Sequence, residues 1–241
     1  MNLTTCTLAA VMTALSMVPA WAAVIEADSA SQSSNYNAVI SATDLINAGQ
    51  VSLSSATQVS GNFNDTNGLA GTHDGFGQDG TQTNTAFTYS PPSFGAVTLM
   101  YALQTTASSG GSASGYTITA VDVVAGWPGA GCYARQSWSV AVATVANPAV
   151  FTPLAAVEYD PYPLIDNNYY TGYTHVRLTD SSGALASGVV AVQVILNGVP
   201  AIISEIDVAG LATPVPEPAA ITLLLAGLLG VGMRNRRPAK P

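Results

Sequence analysis

Between residues 24 and 213, apolar positions recur at every second residue in short runs, and no helical period persists over three turns. Trp138-Ser-Val-Ala-Val sets Trp138, Val140 and Val142 on one face, with Ser139 and Ala141 on the other. Val190-Ala-Val-Gln-Val-Ile-Leu sets Val190, Val192, Val194 and Leu196 together. Thr174-His-Val-Arg-Leu turns Val176 and Leu178 inward, His175 and Arg177 outward. Gly, Pro, Asn and Asp bound these runs, which marks them as short strands. Strands with one apolar face need a second sheet to cover it, so the pattern predicts an all-β fold, a single jelly-roll-type β-sandwich over residues 24–213. The polar stretches 61–85 and 108–115 read as loops within this one core, because the strands on either side are needed to complete it.

The two ends follow other rules. Residues 8–18 are apolar and lead into Pro19-Ala20-Trp21-Ala22-Ala23, where small residues suit signal-peptidase cleavage near Ala22; no Lys or Arg precedes the run. Residues 1–22 therefore read as a cleaved secretory signal, against the alternative of a buried N-terminal helix. At the other end, residues 219–233 carry no charge and are followed by Arg234-Asn-Arg236-Arg237. As a helix this run spans about 22 Å, short of a hydrocarbon core of about 30 Å unless Val215 and the prolines contribute. Cations directly after an apolar run fit a stop-transfer better than a core helix. The expectation is a single transmembrane pass with the basic tail 234–241 cytoplasmic and the sandwich outside.

Residues 214–241 resemble the PEP-CTERM sorting signal: the short motif Val215-Pro216-Glu217-Pro218, then the apolar helix 219–233, then the basic cluster. The resemblance implies a Gram-negative host that makes exopolysaccharide, and recognition of Pro216, Glu217 and Pro218 by an exosortase, a membrane transpeptidase. Cleavage there removes the anchor, so the protein goes from a transient inner-membrane anchor to the cell surface or extracellular matrix.

Charge narrows the function. Residues 24–213 hold 13 acidic and 2 basic groups, Arg135 and Arg177, whereas residues 214–241 hold 1 acidic and 4 basic groups. A surface this negative repels phosphate backbones, which argues against nucleic acid and against nucleotide substrates. Cys6 leaves with the signal, so Cys132 is alone in the exported chain and no intramolecular disulfide forms. Beside Gly131 and Tyr133 it reads as a small buried residue rather than a reactive thiol.

A second resemblance covers about residues 40–210. Asp44-Leu-Ile-Asn-Ala-Gly, Thr72-His-Asp-Gly75, Tyr116-Thr-Ile-Thr-Ala-Val-Asp-Val, Gly126-Trp127, Arg135-Gln-Ser-Trp-Ser-Val, Phe151-Thr-Pro-Leu and Glu205-Ile-Asp-Val-Ala-Gly follow one another as in discoidin, or coagulation-factor type C, domains. That family's galactose-binding-like jelly rolls place binding in variable loops at one end, often hold a structural ion, and usually join their terminal strands by cysteines, which this chain lacks. A fold transfers no ligand by itself.

Candidate chemistry follows. Glu158 and Asp160 stand two apart and would share a face on a strand, the only arrangement suited to a hydrolase; Pro161 and Pro163 favour a solvated loop instead. The two histidines, His73 and His175, have no Ser-centred elbow beside them. Asp74-Gly-Phe-Gly-Gln-Asp79-Gly is an oxygen-rich, glycine-flexible turn able to wrap calcium, with Asp65 as an additional ligand; plain Asx-Gly turns are the alternative. For sugars, which stack on aromatic faces beside planar hydrogen-bonding groups, two loops qualify. One holds Trp127, Tyr133 and Arg135, with core packing the competing reading for Trp127. The other holds Tyr159, Tyr162, Tyr169, Tyr170 and Tyr173, although tyrosines also cap sandwiches.

The expectation is an exported, non-enzymatic binding protein of the exopolysaccharide or cell surface, with weak carbohydrate binding and no cofactor beyond a possible structural Ca2+. The alternative is a structural matrix protein with a protein partner; a polysaccharide hydrolase stands third.

Overall fold

The computed structural model describes residues 23–31, 43–62, 68–75, 88–90, 95–127, 135–160, 172–197 and 201–214. The signal segment 1–22 and the sorting segment 215–241 lie outside the described residues, and among those described no helix is long and apolar enough to cross a membrane.

Ten strands follow in order: β1 (Ala23–Ser31), β2 (Leu53–Ser60), β3 (Thr88–Ser90), β4 (Val97–Leu103), β5 (Tyr116–Trp127), β6 (Gln136–Thr144), β7 (Asn147–Tyr159), β8 (Gly172–Asp180), β9 (Ala186–Leu196) and β10 (Ala201–Ala212). Every pairing is antiparallel. One layer runs β1-β8-β5-β10-β3 and the other β7-β6-β9-β4-β2; where β5 starts, Tyr116 pairs with Val189 and joins the layers. The all-β sandwich read from the sequence is what the pairing builds.

Alternation explains the layers. In β4, Val97, Leu99, Tyr101 and Leu103 are buried while Thr98, Met100 and Ala102 are half-buried. Trp138, Val140 and Val142 of β6 face Val121, Val123, Val176, Leu178, Ile206 and Val208 of the opposite layer in one apolar cluster. Val176 and Leu178 point inward with His175 and Arg177 half-buried, as the alternation predicts. The β9 pattern needs one correction. Val192, Val194 and Leu196 share the core, but Val190 does not join them; Val189 is buried in its place. The pairing with β6 shifts between Ala143 and Thr144, so Thr144 opposes Val189 and the alternation slips by one residue.

The stretch 61–85 is not uniformly irregular. Gly68–Thr72 forms a 3-10 turn that packs against β10, β3 and β2, and Thr72 and His73 are buried. Thr72 Oγ1 lies 2.8 Å from the Tyr101 hydroxyl, and the His73 ring meets the Tyr101 ring edge-on at 5.4 Å. Burial pushes the His73 ring below its ordinary value, and its Nδ1 sits 3.0 Å from the Leu69 carbonyl oxygen.

Candidate functional site

Strand direction decides which loops meet. Ser31 of β1 and Trp127 of β5 both pair with Gly172, the first residue of β8, and Gly126 pairs with Tyr173. In the other layer Gln136, which opens β6, pairs with Tyr159, which ends β7. The last residues of β5 and β7, Trp127 and Tyr159, therefore lie at the same end of the sandwich as the first residues of β6 and β8. This brings together the strand positions of Trp127, Arg135, Tyr159 and Tyr173, residues from the two stretches the sequence singled out. Arg135 is exposed and its Nε lies 3.9 Å from Asp160 Oδ2; Tyr159 is half-buried against the core. Tyr162, Tyr169 and Tyr170 lie outside the described residues, as do the sorting residues Pro216, Glu217 and Pro218.

A buried polar bridge forms the floor of this end. Gln136 is fully buried, and its Nε2 donates to the Val123 carbonyl at 3.0 Å, the Thr174 carbonyl at 3.2 Å and the Thr174 hydroxyl at 2.9 Å. Its Oε1 accepts the Trp138 indole N–H at 2.8 Å. One amide thus ties β6 to β5 and β8 across the two layers, one residue below Arg135. Satisfied polar groups of this kind fix geometry, because any slippage leaves several buried partners unmatched.

The carboxylates Glu158 and Asp160 are separately engaged. Ser137 Oγ donates to Glu158 Oε1, and Asp160 faces Arg135. Both are exposed.

A second arrangement escaped sequence reasoning. On β10, Ile206 and Val208 point into the core, while Glu205 and Asp207 alternate with them and turn to the other side. There they meet the segment that starts at Asp44, whose Oδ1 accepts the backbone N–H of Val208 at 2.8 Å and of Ile46 at 3.1 Å. Gly75 N–H donates to Glu205 Oε1 at 3.2 Å. One carboxylate oxygen from each of Asp44, Glu205 and Asp207 falls within 4.8 Å of the others, and all three residues are buried. Asp44 Oδ2 and Glu205 Oε2 are buried without a hydrogen-bond partner. Asp74, one of the predicted calcium ligands, stands close enough to act on this group, whereas Asp65 and Asp79 lie outside the described residues.

The two basic side chains of the described sandwich are engaged away from this group. Arg177 Nη1 contacts both oxygens of Asp122 at 3.2 and 3.1 Å, and Arg135 faces Asp160, so both basic residues of segment 24–213 are spent elsewhere. His175 Nε2 also sits on Asp122, at 2.7 Å. Burial, reinforced by Asp207, Asp74 and Asp44, pushes the Glu205 carboxyl up to about 9, and burial raises Asp44 as well. Such a group is neutral only if it holds protons or a cation. Three clustered hard oxygen donors, with Asp44 Oδ2 and Glu205 Oε2 lacking hydrogen-bond partners, suit a divalent ion such as calcium. The sequence signal was present: two acids alternate inside the otherwise apolar run Ala-Ile-Ile-Ser-Glu205-Ile-Asp207-Val.

A model of the PEP-CTERM protein-sorting motif matches residues 214–237. No curated protein matches the chain. Among solved structures the fold is similar to CpGH89CBM32-6 produced by Clostridium perfringens, at 12% identity and a TM-score of 0.36, over 64% of this chain and 90% of that one. It is also similar to a mutant of the lectin binding domain of lectinolysin complexed with Lewis b, at 14% identity and a TM-score of 0.38, over 70% of this chain and 97% of that one. The chain carries a PEP-CTERM sorting motif at its C-terminus, which implies an exported surface protein processed by an exosortase.

Proposed function

We propose that this protein is a non-catalytic carbohydrate-binding module of the cell surface or exopolysaccharide, exported by residues 1–22, held transiently by the run 219–233, and freed by cutting at Pro216 to Pro218. The observation that supports the binding reading is that the strand-end positions Trp127, Arg135, Tyr159 and Tyr173 come together at one end of the sandwich. Aromatic rings and amide or acid groups in loops above a rigid floor are the composition that neutral sugars stack on and hydrogen-bond to. A shallow site with few contacts gives affinities of roughly millimolar to micromolar order. The acidic surface disfavours direct contact with acidic polymers.

Asp44, Glu205 and Asp207 would hold a calcium ion, with Asp74 adding to the field. The ion supplies the positive charge that neutralises this group and so fastens the segment at Asp44 to β10; its role is structural.

The test is an array of neutral and acidic glycans probed with residues 24–213, with and without chelator, and repeated for Tyr169→Ala and Tyr170→Ala. Binding to neutral glycans that is lost in both variants is the expected result. A blank array with folded domain in calcium sinks the carbohydrate reading and leaves a structural matrix role with a protein partner.

A further inference from the structure

The end of the sandwich opposite the aromatic loops is unlike the rest of the molecule. It comprises the start of β1, β2, β5, β7 and β9 and the ends of β4, β6, β8 and β10. Seven large apolar side chains are exposed among the described residues. Six of them, Val24, Ile25, Val51, Val145, Val150 and Leu211, lie in this half, and only Val59 lies toward the loop end. Val51 is 67% exposed and Leu211 63%. An open cavity of about 370 Å³ lies beside one of them, Val145, and is lined also by Leu103, Thr105, Ala113, Pro148 and Val190. Across 103–117, 143–150, 180–190 and 210–214 the one charged residue is Asp180, which is buried and accepts the Ser182 N–H at 2.7 Å. On β1, Glu26 is exposed beside Ile25; in a segment with 13 acidic groups, an apolar end with so little exposed charge is a feature that calls for a partner.

The chain leaves from this same end. β10 ends at Ala212, and Thr213 is pinned: its N–H donates to the Gly115 carbonyl at 2.9 Å, and its hydroxyl accepts the Gly188 N–H at 3.2 Å and lies 3.2 Å from the Thr117 hydroxyl. Five residues, Pro214-Val-Pro216-Glu-Pro218, three of them proline, separate Thr213 from Ala219, where the uncharged run begins. Even fully extended, that connector reaches no more than about 18 Å. Its prolines make it a stiff spacer rather than a loose tether.

We infer that this apolar end is a lipid-facing surface: in the anchored form it rests on the interfacial region of the bilayer, with the aromatic loops directed away from the membrane. The inference rests on the anchoring role of residues 219–233 given above. The short connector supplies proximity, the exposed valines and Leu211 supply apolar area for the headgroup boundary, and the scarcity of exposed charge limits the repulsion that acidic side chains would meet from anionic lipids. A domain that binds glycans at one end and sits on the membrane at the other presents its site outward before processing.

The test uses residues 23–241 in vesicles of phosphatidylethanolamine and phosphatidylglycerol doped with brominated phosphatidylcholine. Cys132→Ala removes the native thiol, and an environment-sensitive dye is placed in turn at Leu224→Cys, Val145→Cys, Leu211→Cys and Asn62→Cys. The expected result is loss of emission at 224, 145 and 211 and none at 62. Loss at 224 alone overturns the docking surface and leaves the anchor standing, whereas no loss at 224 removes the anchor and this inference with it. Shielding at 145 that follows protein concentration and ignores brominated lipid assigns the surface to a second copy and overturns the lipid assignment. Two independent reporters at the end keep the test decisive if one variant does not fold.

Discussion

At the scale of the residue, Gln136 has the most to lose. Four hydrogen bonds converge on its amide in a fully buried setting, so replacing it with Leu strands the Trp138 N–H and removes a donor from the Val123 and Thr174 carbonyls and the Thr174 hydroxyl. Gln136→Leu is expected to cost about 2–4 kcal/mol in chemical denaturation, against about 1 kcal/mol for Tyr101→Phe, which removes only the partner of Thr72. A loss below 1 kcal/mol for Gln136→Leu would mean that the layers are held elsewhere. Sequence pattern read the apolar side of this region correctly, since Trp138, Val140 and Val142 do share the core. Gln136 itself was invisible. A polar residue at the head of a strand carries no periodicity that distinguishes a buried bridge from a solvated end.

At the scale of the element, β10 and its partners carry the stability that responds to solution conditions. In calcium-free solution the Glu205 carboxyl is raised from 4.5 to about 9, so the folded state favours its neutral form. The stability tied to that proton is complete below pH 4.5, declines as the unfolded chain ionises, and is gone once pH has risen through about 9. Calcium reverses the trend by holding the ionised form. The melting temperature in chelator should therefore fall from pH 5 to pH 9, and calcium at a hundredfold excess over its dissociation constant should raise it by roughly 5–10 °C, most at the alkaline side. Glu205→Gln should flatten the chelator curve and remove the calcium shift; a shift that persists in this variant places the ion elsewhere. The junction between layers makes a separate prediction. Gly115 has φ +72°, and a Cβ there would lie 2.6 Å from the Gly188 backbone, whereas Gly183 at φ +87° has open space around it. Gly115→Ala should cost about 2–4 kcal/mol and Gly183→Ala about 1 kcal/mol, measured side by side. The strands were legible from alternation, but the acidic group was not, because Asp44 and Val208 meet across 164 residues and no local pattern reports such a contact. The β9 slip is of the same kind: Val190 is an extra, bulged residue of β9 between the pairs Ala191–Ala143 and Val189–Thr144, and only pairing with β6 reveals that Val189 and not Val190 turns inward.

At the scale of the whole molecule, the two ends of the sandwich differ. One carries the strand-end positions of Trp127, Arg135, Tyr159 and Tyr173, and the other is apolar, sparse in exposed charge and the end from which Thr213 leads toward the sorting segment. Processing makes one expectation for the cell: mass spectrometry of surface material should recover peptides of the sandwich and none that contains Arg236, since that residue follows the motif and the apolar run. Recovery of Arg236 from outside the cell would contradict cutting at Pro216 to Pro218. The sorting motif, matched over residues 214–237, was legible in the sequence because its order of short motif, apolar run and basic cluster is local. The meeting of those strand ends was not, since it depends on register between strands far apart in the chain. The account's central claim is that the loop end contacts sugar. Backbone amide shifts of residues 24–213, recorded during titration with neutral hexoses and their oligomers in calcium, test it most directly. The account predicts saturable shifts confined to 127–135 and 159–173 and to their floor at Gln136 and Thr174; an absence of shifts, or shifts centred on Val145 and Leu211 at the opposite end, would contradict it.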